Sequence, residues 1–98
     1  MDKKYFKSIL AKLEKLPAGS WKHAASGYQA SLGKGFSVQI REDVMRLDSG
    51  DIRNYKLLVW QNGVEIDSRS DSLIGNLYEK VKDEPRIQSL RELEETLG

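Results

Sequence analysis

His23 is the only histidine of the chain and there is no cysteine, so a nucleophile and its base would have to be built from His23, a serine and one of the carboxylates. It lies in Trp21-Lys-His-Ala, a strand-like stretch that gives the imidazole no partner. A structural or exposed histidine is therefore expected, no catalytic residue is assigned, and the chain is read as non-enzymatic. Carboxylates gather at Glu42, Asp43, Asp48 and Asp51. Asp48-Ser-Gly-Asp51 lacks the alternating oxygen ligands and closing glutamate of a calcium loop, so a solvated turn is expected and no metal site. Zinc sites of the cysteine type and disulfides are excluded by composition.

Gly27-Tyr-Gln-Ala-Ser-Leu-Gly33-Lys34-Gly35 has the outline of a phosphate-binding loop, but three details oppose it. There is one residue too many between the glycines, Gly35 stands where serine or threonine should hold magnesium, and the context is strand-turn-strand. No cofactor and no small-molecule substrate is expected. Nucleic acid is a better-matched ligand. Lys22, Lys34, Arg41 and Lys56 can lie along a sheet with Trp21 or Trp60 for base stacking. Against it stand a net charge of only +1, the lack of an RNP-like aromatic motif, and Glu65 and Asp67 beside Trp60.

The elements that position these residues follow from periodicity. Tyr5, Phe6, Ile9, Leu10, Leu13 and Leu16 recur at helical spacing and predict an amphipathic helix over residues 3 to 16, ended by Leu16-Pro17-Ala18-Gly19-Ser20. From Trp21 the period becomes two, with Gly27 expected as a bulge or bend in one long strand. Tyr28 to Ile40 is nearly mirror-symmetric about Lys34. A loop at Gly33-Lys34-Gly35 sets Leu32 opposite Phe36, Ala30 opposite Val38 and Tyr28 opposite Ile40, with every apolar residue on one face. Asn62-Gly63 marks a second hairpin, in which Gln61 faces Val64, Val59 faces Ile66 and Leu57 faces Ser68.

In that register Tyr55, Leu57, Val59, Val64 and Ile66 share the core face. Lys56, Leu58, Trp60, Glu65 and Asp67 share the other, where Leu58 and Trp60 are out of place unless something covers them. Leu73, Ile74, Leu77, Tyr78 and Val81 predict a helix capped by Ser70 or Asp71 and weakened by Gly75. Asp83-Glu84-Pro85 is expected to break it and start another, with Ile87, Leu90, Leu93 and Leu97 as its stripe.

The order helix, antiparallel meander of about four strands, helix, helix predicts a two-layer α+β fold, with the helices packed on one sheet face. The 98 residues suit one domain, residues 1–98. Neither a secretory leader nor a membrane span is expected, which points to a cytoplasmic protein. The basic first helix could lie on an anionic membrane, but the sheet needs such a helix as its cover.

The function expected is protein–protein interaction or self-association through Leu58, Trp60, Glu65 and Asp67, an indole and a leucine rimmed by charge. The alternative is a single-stranded nucleic-acid-binding domain using the basic N-terminal half, with Lys22, Lys34, Arg41 and Lys56 as its candidate residues. Residues 1 to 41 carry eight basic side chains against two acidic ones, +6, which leaves −5 for the remainder. Such an asymmetry suits an acidic partner, or two halves of one fold that attract each other.

Overall fold

The computed structural model describes residues 1–17 and 19–98, with the side chains of Pro85 and Gln88 left aside, so Ala18 of the expected Leu16–Ser20 turn lies outside it. Helix α1 (Lys3–Leu13) starts where Asp2 accepts a hydrogen bond from the Lys4 backbone N–H at 3.0 Å, satisfying one of the free donors of the first turn. It buries Phe6, Leu10 and Leu13. Five antiparallel strands follow in sequence order: β1 (Trp21–Ala24), β2 (Gly27–Ser31), β3 (Phe36–Leu47), β4 (Gly50–Gln61) and β5 (Val64–Ser70).

The strand count exceeds the expected four because Gly27 does not bend one long strand. Ala24 pairs with Gly27 across Ala25-Ser26, so Trp21–Ala24 folds back as a strand of its own and places Trp21 in the core. The mirror-symmetric hairpin has the expected register, with Tyr28 opposite Ile40 and Ala30 opposite Val38. Its loop carries Lys34 at φ 59° and Gly35 at φ 75°, the left-handed conformations that close a turn of this length.

The second hairpin turns at Asn62 and Gly63, both at positive φ, and sets Gln61 opposite Val64. A bulge then shifts the register, so Val59 faces Asp67 instead of Ile66. One extra residue on β5 leaves Ile66 unpaired. Ile66 and Val64 are exposed, not part of the core as expected: β5 is an edge strand, and Ile66 is the unpaired residue of its bulge. Tyr5 and Leu73 are likewise exposed.

The two C-terminal helices are joined as one bent helix, α2 (Ile74–Leu97), which continues through Pro85. A proline inside a helix loses one ladder hydrogen bond and kinks the axis without ending it. At its start Asp71 accepts from the Leu73 backbone N–H at 2.9 Å. Gly75 lets the helix backbone approach the Tyr55 ring, since a Cβ there would lie 2.9 Å from Tyr55 Cε2.

Ile74, Leu77 and Val81 join Phe6, Leu10 and Leu13 against Tyr28, Ala30, Val38, Ile40 and Leu57, so both helices cover one face of the sheet. The other face carries no helix. None of the helices is long and apolar enough to cross a membrane among the described residues.

Candidate functional site

Two parts of the chain extend beyond the packed layers. β2 pairs with β3 only as far as Arg41, and β5 pairs with β4 only as far as Lys56. From Glu42 to Tyr55 the long strands pair with each other alone, a two-stranded arm of roughly 20 Å at 3.3 Å per residue. Beyond Val81, the apolar residues Ile87, Leu90, Leu93 and Leu97 of α2 are 43 to 78 % exposed. The radius of gyration is 15.2 Å, against about 13 Å for a compact chain of this size.

The uncovered face can be followed row by row from the register. Lys22, Gln29, Gln39, Leu58 and Ser68 form one row, and Ser37, Trp60 and Glu65 another. Arg41, Lys56 and Ser70 form a third, beyond which the same face of the arm shows Met45, Leu47 and Ile52. Leu58 is only 4 % exposed, flanked along β4 by Lys56 and Trp60 and across by Gln39 and Ser68, which shield it without a helix. Trp60 is half-buried and Glu65 exposed. Asp67 is not on this face. The bulge turns it toward α1, where it pairs with the terminal ammonium of Met1 at 3.2 Å, and the Ser68 N–H with that ammonium holds its carboxyl below the usual range.

Three of the four expected cations share the uncovered face. Arg41 and Lys56 face each other directly and Lys22 lies on the same face, while Lys34 is apart in the hairpin loop. Arg41 Nη2 donates to Gln39 Oε1 at 3.0 Å, and Arg41 Nε is shielded from solvent with no hydrogen-bond partner among the described residues. None of these cations is ion-paired among the described residues.

Met45, Ile52 and their neighbours were hidden from sequence reasoning because period-two alternation reads the same in a sheet and in a projecting arm. Val44, Met45, Leu47 and Ile52 are 45 to 54 % exposed. At the root of the arm Arg53 lies 3.6 Å from Glu42, beside a pocket of about 260 Å³ bounded by Arg53, Tyr55 and Asp71. Burial, followed by the Glu42 carboxylate, raises the Tyr55 and Tyr78 hydroxyls above their ordinary value of 10.0. Both are neutral near pH 7 and their rings pack against each other at 5.6 Å.

His23 is exposed, its ring edge-on to Tyr28 at 5.2 Å. Among the described residues no three His, Asp or Glu side chains gather as metal ligands would. No protein-family model, curated protein or solved structure matches this chain.

Proposed function

We propose that this chain is a small non-enzymatic interaction module that self-associates through its uncovered sheet face, where Leu58 and Trp60 lie, and the continuation of that face along the arm. One observation carries this reading: Met45, Leu47 and Ile52 stand about half exposed on a two-stranded ribbon, the kind of structure that is marginal in water until another surface covers it. The charged residues bordering the apolar ones, Arg41, Lys56 and Glu65, supply the polar rim of an interface. A cytoplasmic location belongs to the same proposal.

Trp60 reports on it. In a Trp21→Phe variant, tryptophan emission at high protein concentration is expected to be blue-shifted and protected from quencher, and to move to the red on dilution. A spectrum that does not change with concentration while the mass does would exclude this face.

Lys22, Arg41 and Lys56 share the uncovered face with Trp60, which favours a second reading, binding of single-stranded nucleic acid. It predicts salt-sensitive binding of a labelled single-stranded oligonucleotide that Lys56→Glu weakens. No binding at low salt would remove it.

A further inference from the structure

Residues 83 to 98 carry five acidic side chains against two arginines, a net −3, while residues 1 to 17 carry five lysines against two acids, a net +3. Among the described residues these opposite charges form no ion pair with each other within one chain. α1 touches α2 at Lys80, whose Nζ donates to the Glu14 carbonyl oxygen, before the acidic segment begins. Among the described residues none of the α1 lysines and none of the acids beyond residue 82 is ion-paired.

The two segments also match in shape. Leu90, Leu93 and Leu97 follow the i, i+3, i+7 spacing by which an amphipathic helix anchors in a groove, and residues 84 to 97 span about 20 Å. Beside α1 runs a groove of about 270 Å³ whose apolar lining includes Tyr5, Ile9, Val59 and Ile66. Its two acids are already engaged, Asp2 with the Lys4 N–H and Asp67 with the terminal ammonium. Lys12 continues the Tyr5–Ile9 side of α1 by one turn. Asp83 and Glu94 share the helix side of Leu90 and Leu97.

We propose that the distal half of α2 docks, leucine face down, in the α1 groove of a second copy of this chain, with Asp83 and Glu94 facing the α1 lysines. The occupant is a second copy because each chain carries both complementary halves. The inference rests on the self-association reading above and adds to it a second contact, on the helix side of the sheet. A contact between two unlike surfaces is heterologous, so it produces closed rings or open chains according to its rotation.

Sedimentation velocity of the full chain at low and high salt tests it. Leu90→Ser with Leu93→Ser should weaken association by about tenfold or more without changing the melting temperature of the dissociated monomer, because both positions are exposed. Lys4→Glu with Lys12→Glu, and separately Asp83→Lys with Glu94→Lys, should each weaken it, whereas an equimolar mixture of these two variants should associate again. An associating protein indifferent to all of these changes would overturn the docking while leaving self-association in place. A monomer at every concentration would remove the self-association reading itself, and the docking with it.

Discussion

Met45 and Ile52 face each other across the β3–β4 arm, on the side of the sheet that no helix covers, and they are 54 % and 47 % exposed. Each would be an ordinary core residue if the arm were covered. Full burial of a side chain of this size removes about 1.5 to 3 kcal/mol of unfavourable hydration, and a self-associating chain recovers roughly half of that at each of these half-exposed positions.

Gly27 fixes the crossing of β2 and β3. A Cβ there would lie 1.9 Å from the Ile40 carbonyl oxygen, a backbone atom that cannot move without breaking the ladder. Gly27→Ala is expected to lose about 3 kcal/mol, measured by urea denaturation, and unchanged stability would contradict this packing.

Leu57 and Leu93 should separate core from projecting surface. Leu57 is fully buried beneath the helices, and Leu57→Ala should lose about 3 kcal/mol. Leu93→Ala should change monomer stability by less than about 0.5 kcal/mol. Equal losses would mean that the distal half of α2 is packed within its own chain.

Alkaline stability depends on Tyr55 and Tyr78. Their folded hydroxyls hold protons more tightly than unfolded ones, through burial first and the Glu42 carboxylate second. Their contribution is therefore complete below the unfolded value of 10.0 and is lost as pH rises through the higher folded values. Denaturation at a series of alkaline pH values should show that fall. Tyr78→Phe should flatten it, and an identical fall in the variant would assign it to other groups.

Much of the fold was legible because local signals agreed with one another. The symmetry about Lys34 set the register of Tyr28 with Ile40, and Asn62-Gly63 placed the second turn. Ala25-Ser26 carried no comparable signal, since neither residue is the glycine or asparagine that marks a two-residue hairpin turn, and β1 was merged with β2. Ile66 was misplaced because a bulge adds a residue without altering alternation before it. The candidate site was only partly legible. Leu58 and Trp60 were correctly put on the face away from the core, but periodicity says which side a residue faces and not what lies over it. Thus the exposure of Met45 and Ile52 had no sequence signature, and Leu58 proved to be shielded by residues of its own face.

Light scattering of the size-fractionated chain over a range of concentrations, beside Met45→Ser with Ile52→Ser, tests self-association most directly. The wild type should rise above the monomer mass, and the double variant should do so only at higher concentration, with an unchanged circular dichroism spectrum and its affinity reduced by about 2 kcal/mol or more. A wild type that stays at the monomer mass of 11.2 kDa at every concentration would contradict the account.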